Sequence, residues 1–271
     1  MRGTRTMLQN NLLRNVAQGR ICTAIGVKVV TSNEIILLAR AAGYDSVFID
    51  LEHSILSIED MSRLCSASLL SGITPFVRVP YECGSGFVQR VLDGGAMGVV
   101  FPHISTVHEA QRAVSMTKYP PKGQRSLTAA LPQFDFQRVA ARDVIPQLDS
   151  KGSTVIIQVE TRRCLENIDA IAAVEGVEVL LLGANDLSLE LGILGDWEHP
   201  QFQNALETIS TAARKSGKIF GVAGLYSRPD ICKHIVKNLG ARYVLGHLDI
   251  GLLAIAMNKN MEQLRDLDIR T

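Results

Sequence analysis

TVIIQVE (154–160) and VEVLLLGAND (177–186) decide how this chain reads. In each, apolar residues run together and then give way to polar and charged ones. Gln158 and Glu160 end the first stretch, and Asn185 and Asp186 end the second. A strand buried on both faces reads as such a run rather than as an alternation. The same grammar recurs outward along the chain. DSVFID (45–50) leads into Asp50, Glu52 and His53, TPFVRV (74–79) carries Arg78, and GVVFP (98–102) is followed by His103. Ionisable groups at the C-terminal ends of several buried parallel strands mark an active site on an α/β scaffold.

Strands are predicted over 22–27, 45–50, 74–79, 97–101, 154–159, 177–182, 218–223 and 242–246. Helical spacing fills 32–42, 57–71, 84–95, 106–117, 161–174, 200–216, 227–239 and 249–265, after a short amphipathic helix over 6–18. Asn33, Ser57, Thr106 and Thr161 stand where helices start, and glycines 43, 72, 95, 176, 217 and 240 where they end. Eight βα units predict an α/β protein of one domain over 1–271, a closed (β/α)₈ TIM barrel. An open doubly wound sheet would want a dinucleotide fingerprint after its first strand. The close pair Gly84 and Gly86 lacks the third glycine and reads as a helix entry. One connection breaks the rhythm. From His103 to Thr154 it holds YPPKGQRSLTAALPQFDF (119–136) and a helix near 136–148. Loops of that length inside a domain are usually functional or disordered.

Lys and Arg total 28 against 27 Asp and Glu, a net charge of +1. That balance gives no reason to expect nucleic acid or an anionic membrane as partner. The five cysteines (22, 65, 83, 164 and 232) form no C-x-x-C pair and are odd in number. They read as small core residues in a reducing compartment. MRGTRTMLQNNLLRN lacks the apolar core of a signal peptide, and no apolar run reaches the length of a membrane span. A cytoplasmic protein is expected.

Glu160 and Asp186 follow different buried strands, so a barrel can bring both to one mouth. Two carboxylates with few cations nearby suit a hard divalent ion such as Mg²⁺. Spacing alone equally allows two helix N-terminal charges. A glycosidase acid pair is a third reading, but no row of aromatic sugar platforms accompanies it. In Asp50-Leu51-Glu52-His53 a carboxylate could orient an imidazole as a general base, or simply cap the strand end. Arg78, inside an apolar strand, needs a partner. It reads as an ion pair to Glu52 or Asp50, or as a clamp on a substrate oxyanion. His103 can line the same mouth, although a lone histidine is more often structural. His108, His199 and His234 read as surface residues, and His247 follows the last strand without support. Ser46 and Ser54 lack a nucleophile-elbow context, which argues against serine hydrolysis.

Taken in order, seven stretches carry a resemblance over nearly the whole chain. They are FIDLEH (48–53), FVRVP (76–80), LDGGAMGVVFPHI (92–104), YPPKGQRS (119–126), VIIQVET (155–161), VEGVEVLLLGANDLS (174–188) and LGHLDIGLLA (245–254). They resemble the HpcH/HpaI aldolase family, the metal-dependent class II pyruvate aldolases. The histidine of FPHI resembles the fungal branch around macrophomate synthase. The resemblance implies a barrel of the phosphoenolpyruvate/pyruvate type, its eighth helix swapped between subunits of a homo-oligomer, often a hexamer. It implies a lyase that cleaves 4-hydroxy-2-oxo acids to pyruvate and an aldehyde through an enolate. Glu160 and Asp186 would hold a divalent metal, Mg²⁺ first, with Mn²⁺ or Co²⁺ as substitutes. Gln158 would sit beside them. The backbone amides of Gly183, Ala184, Asn185 and Asp186 would receive the pyruvate carboxylate. Arg78 would face the keto oxygen. His53, oriented by Asp50, would move protons, Glu52 would support the pocket, and Asp93 would reach a neighbouring subunit's site. Selection of the aldehyde half is expected in the 119–136 loop and in contacts between subunits. No lysine follows the sixth strand to form a Schiff base.

Two departures stand out. After RVP the family usually continues with a tryptophan, an acidic or amide pair and a proline, where this chain has YECGSG. GPxDLS is altered to GANDLS, which keeps the aspartate. Two other functions compete with aldol cleavage. One is oxaloacetate decarboxylation or macrophomate-synthase-like bond formation, and the other is a non-catalytic barrel that binds a keto acid.

Overall fold

The apolar runs become eight parallel strands that hydrogen-bond in chain order and close on themselves in the computed structural model, which describes residues 8–267. The strands are β1 (Cys22–Val27), β2 (Ser46–Asp50), β3 (Thr74–Arg78), β4 (Gly98–Phe101), β5 (Thr154–Val159), β6 (Val179–Gly183), β7 (Ile219–Ala223) and β8 (Tyr243–Leu248). The helices are α1 (Asn11–Ala17), α2 (Glu34–Ala42), α3 (Ile58–Ser71), α4 (Ser85–Asp93), α5 (Val107–Thr117), α6 (Ala141–Gln147), α7 (Arg162–Glu166), α8 (Ile168–Ala172), α9 (Ala184–Glu190), α10 (Pro200–Lys215), α11 (Pro229–Lys237) and α12 (Asp249–Arg265). The barrel is the predicted (β/α)₈ fold. Ser57, Thr106 and Thr161 cap α3, α5 and α7 through their side chains, and the first two form full capping boxes. Gly43 and Gly72 end α2 and α3 in the left-handed region, at φ 90° and 74°, where a Cβ would be strained.

Strand side chains alternate between faces, and the apolar residues sort accordingly into two clusters. Val47, Ile49, Val77, Val99, Ile157, Leu180 and Leu182 pack outward under the helices. Phe48, Phe76, Val100, Ile156, Leu181 and Tyr243 fill the barrel interior. The interior positions continue upward by twos: Phe48 to Asp50, Phe76 to Arg78, Ile156 to Gln158 and Glu160, Leu181 to Gly183. Strand pleating therefore aims these groups at the mouth.

The long connection after α5 stays at the opposite end. A helix returning to a strand ends at the strands' N-terminal face, and residues 118–153 lie there as a 3₁₀ turn (Pro132–Phe134), α6 and a π turn (Leu148–Gly152). Leu8 and Leu12 join Tyr119, Leu131, Val144 and Leu148 in plugging the barrel floor. Asn11 ties α1 down, donating its side-chain amide to the carbonyls of Asp45 and Gly72 at 2.7 and 2.9 Å. Lys118 is buried and donates to Asp149 O at 2.9 Å, Ser153 O at 2.8 Å and Glu178 Oε1 at 2.6 Å.

Several expectations shift. The 119–136 loop lies at the floor, so it cannot select substrates at its own chain's mouth. Asp135 and Phe136 take φ of 53° and 57°, and the helix predicted from 136 starts at Ala141. The helix predicted over 161–174 breaks at Asn167. β8 extends to Leu248, which puts His247 inside the strand. The N-terminal helix is Asn11–Ala17, and residues 6 and 7 of its expected span lie outside the described residues. Along α12 only Asp249 is buried. Ile250, Leu253, Ile255, Met257, Met261 and Leu264 are exposed. Among the described residues no helix is long and apolar enough to cross a membrane.

Lys118→Met should lower the urea midpoint sharply. It removes the Lys118 donor from Glu178 Oε1 and from two carbonyls, leaving Glu178 only the Val155 N–H, and breaking a buried pair from one side costs about 3–5 kcal/mol. An unchanged midpoint would remove Lys118 from its role as anchor of the floor.

Candidate active site

Asp50 and Arg78 are register partners across β2 and β3. Arg78 meets Asp50 twice, Nε to Oδ1 at 3.0 Å and Nη2 to Oδ2 at 2.7 Å. Its Nη1 lies 3.0 Å from Glu52 Oε2, and the guanidinium rests over the Phe48 ring at 5.5 Å. Asp50 Oδ1 also accepts the backbone N–H of Glu52 at 3.0 Å and of His53 at 3.2 Å. Burial alone would raise the Asp50 carboxyl. The guanidinium and the two amides outweigh it and hold the carboxyl below the usual range.

Glu160 is buried at the end of β5. It accepts the backbone N–H of His103 at 2.5 Å and the side-chain amide of Gln158. Burial raises its pKa, the charges of Asp186 and Glu52 raise it further, and His103 opposes them. Gly183 makes room for this pair. A Cβ there would sit 2.9 Å from Glu160 Oε2 and 3.0 Å from Gln158 Nε2. α9 starts immediately after Gly183, with Asp186 in its first turn.

His103 spans the carboxylates. Its Nε2 is 3.3 Å from Glu52 Oε1 and its Nδ1 is 3.3 Å from Glu160 Oε1. The residue takes φ 54°, uncommon off glycine but several-fold enriched in histidine. Tyr81, from the YECGSG departure, meets its ring edge-on at 5.1 Å. That loop and α5 line an open cleft beside the site, with Cys83, Phe101, Arg112 and Met116 in its walls.

One expected contact differs. Asp50 does not reach the His53 imidazole, because Arg78 occupies its oxygens. That ring is 56% exposed, with Nε2 3.6 Å from Glu52 Oε2. Asp93 ends α4 at the floor, where Arg125 Nη2 donates to it at 3.0 Å and Gln89 at 2.6 Å. It does not join its own chain's site. Asp249 carries no role in the sequence reading. Its carboxylate accepts the N–H groups of Lys28, Val29 and Val30 at 2.8–3.0 Å, pinning the β1 loop to β8. The LGHLD stretch held that signal.

The HpcH/HpaI aldolase/citrate lyase model matches residues 29–242. The chain belongs to this family. It is 46% identical to the 4-hydroxy-4-methyl-2-oxoglutarate aldolase tasA of Hapsidospora irregularis and 47% identical to the 4-hydroxy-4-methyl-2-oxoglutarate aldolase cghB of Chaetomium globosum. Each match covers 91% of this chain and 92% of the relative. The crystal structure of an HpcH/HpaI aldolase from Desulfitobacterium hafniense superposes with a TM-score of 0.87 at 26% identity, covering 97% of this chain and all of that one. This HpcH/HpaI protein is an aldolase, a carbon–carbon lyase.

As a donor set, the mouth offers Glu160 and Asp186 with Gln158 alongside. Among the described residues no three His, Cys, Asp or Glu side chains converge to hold a metal by themselves. Mg²⁺ commonly takes one or two carboxylates and leaves its other positions to water and substrate. Burial first, and then the neighbouring acids, raise Glu160, and a cation would offset both.

Glu160→Gln should therefore raise the melting temperature of the chelator-treated protein at neutral pH. A carboxyl raised on folding binds its proton more tightly in the folded state, so its contribution falls as pH climbs through the raised value. The advantage of the amide should shrink towards pH 4. Gln158 can turn its unpartnered Oε1 to accept the new N–H. A lower melting temperature for the variant at neutral pH would contradict the strain.

Proposed function

We propose that this aldolase cleaves 4-hydroxy-2-oxo acids to pyruvate and a second carbonyl compound, with a divalent cation, Mg²⁺ first, at Glu160 and Asp186. The observation that carries the reading is Arg78, its side chain 12% exposed at the mouth and clamped by Asp50 and Glu52 within the field of Glu160. The two fungal relatives are named for 4-hydroxy-4-methyl-2-oxoglutarate, and a substrate of that class divides into two molecules of pyruvate.

The 2-oxo acid carboxylate sits at the start of α9, on the amides of Gly183, Ala184, Asn185 and Asp186, with Gln158 beside it. Backbone N–H groups at a helix N-terminus suit an anion. When bound, the cation supplies Lewis-acid polarisation of the keto group. Arg78 donates to the keto oxygen and gains strength as negative charge develops there. His53 takes the proton of the 4-hydroxyl. That electron pair becomes the new carbonyl, the C3–C4 bond breaks, and its electrons pass to the enolate. Protonation at C3 then gives pyruvate. Glu52, rather than Asp50, orients His53, and His103 stands next to both carboxylates as the second proton carrier.

The working form is a homo-oligomer, a hexamer or trimer of dimers. The apolar residues along α12 are covered by a second copy, and Asp93 and the 119–136 floor reach a neighbour's mouth. We place the protein in the cytoplasm, acting on small 2-oxo acids and not on nucleic acid or membrane.

Exhaustive chelation should abolish cleavage, and Arg78→Ala should cost on the order of 10²–10³ in kcat while calorimetry shows retained Mg²⁺ binding. Full turnover in chelator would overturn the metal assignment. An unchanged kcat with weakened Mg²⁺ binding would overturn the role of Arg78.

His53→Ala should impair aldol cleavage more than oxaloacetate decarboxylation. Cleavage must remove a hydroxyl proton, and decarboxylation has none to remove. Equal losses in both would transfer the base role to His103.

A further inference from the structure

We propose that Tyr226 is a further substrate-contacting residue whose hydroxyl donates a hydrogen bond to the carboxylate of the bound 2-oxo acid, with His247 as its positioning residue. The inference rests on the 2-oxo acid reading above.

Tyr226 follows β7 at the mouth and packs against the interior cluster. Its hydroxyl lies in the field of both Arg78 and Asp50 and beside the Gly224 N–H. Burial, the largest influence, pushes the phenol up to about 12, so it stays protonated and able to donate. Gly224 abuts the start of α9. A Cβ on it would sit 3.3 Å from the backbone nitrogens of both Ala184 and Asn185. The hydroxyl thus lies within electrostatic reach of Arg78 and beside Gly224, the residue that abuts the amides assigned to the carboxylate. No protein acceptor takes its proton among the described residues, and an anion at α9 supplies one.

His247 fixes the phenol ring. The two rings stack at 4.9 Å with an interplanar angle of 18°. The register of β8 against β1 slips at this point, from Leu245 opposite Ala24 to His247 opposite Ile25, leaving Gly246 unpaired. Bulges beside active sites re-aim side chains. The imidazole is locked in turn. Its Nδ1 accepts the Leu248 N–H at 2.9 Å. Gly251 leaves space for the ring, since a Cβ there would fall 2.0 Å from His247 Cε1. A bulge, a fixed tautomer and a glycine together hold one flat ring under another.

The test compares Tyr226→Phe, His247→Ala and His247→Phe in the Mg²⁺-loaded protein. Pyruvate–solvent proton exchange and calorimetric titration with pyruvate are the readouts. Tyr226→Phe should raise the KM for pyruvate roughly ten- to hundredfold, the range for a hydrogen bond to a charged group. Its kcat should change little, because the contact is made equally before and during reaction. His247→Ala should show the same split. His247→Phe, which keeps a flat ring for the stack, should restore the wild-type KM. Wild-type pyruvate affinity in Tyr226→Phe would overturn the proposal, and so would a loss confined to kcat. Equal defects in His247→Ala and His247→Phe would overturn the positioning role. A wild-type protein that binds pyruvate through Tyr226 yet catalyses neither exchange nor cleavage would sink the aldolase substrate reading and leave this contact standing.

Discussion

A guanidinium cannot stay buried beside apolar strands without carboxylates to meet it, and the site is arranged around that constraint at Arg78. Asp50 is its partner by register, so the pairing follows from strand alignment and needs no loop to bring it about. Both Asp50 oxygens are taken by the fork, and one of them also accepts two amides of the turn after β2. That turn carries Glu52, which closes the third side of the guanidinium and reaches His103 and His53. Exchanging Arg78 for lysine would keep the charge and lose the fork, leaving Asp50 buried with one point contact.

Charge is distributed unevenly around this anchor. Asp50 is fully compensated and ionised. Glu160, on the far side of the mouth, is buried among carboxylates and held upward in pKa. The contrast assigns different work to two similar side chains. Asp50 is structural to the arginine, whereas Glu160 pairs with no lysine or arginine among the described residues, and the basic group it meets is the His103 imidazole at 3.3 Å. Environments that push apart the pKa values of nearby carboxyls are the usual way one site holds different roles.

Much of this is legible in the sequence. The apolar runs and the polar groups at their ends located β2, β3, β5 and β6 and the residues they aim, because a buried strand admits a charge only where it leaves the barrel. A strand end leaves open which neighbour its charge meets. The sequence allows Asp50 to orient His53, to cap the strand end or to pair with Arg78, and the register takes it to Arg78. The 119–136 loop is expected to select substrates together with contacts between subunits. A connection from helix to strand ends at the floor whatever its length, so connectivity removes the loop from its own chain's mouth and leaves only a neighbour's. His247 looked unsupported since its supports are a bulge, a tyrosine twenty-one positions earlier and a missing Cβ at Gly251. None of these has a local signature.

The two ends of the barrel answer different demands. At the floor, Lys118 and Glu178 neutralise one another, and the amides of Asn10 and Asn11 satisfy strand-end and loop groups on Thr154, Asp45 and Gly72. Among the described residues, the buried side-chain atoms without a partner towards this end lie on Tyr119, Arg125 and Gln133 in the 119–136 connection and on Tyr243 at the start of β8. At the mouth the balance is deliberately incomplete: crowded acids, a histidine held at positive φ, and a phenol without an acceptor. Unsatisfied groups weaken a fold wherever they occur, and those at the mouth are the ones a bound substrate can complete. The closed ring of strands can carry that deficit because its stability is drawn from the interior and the floor, away from the atoms that must meet substrate.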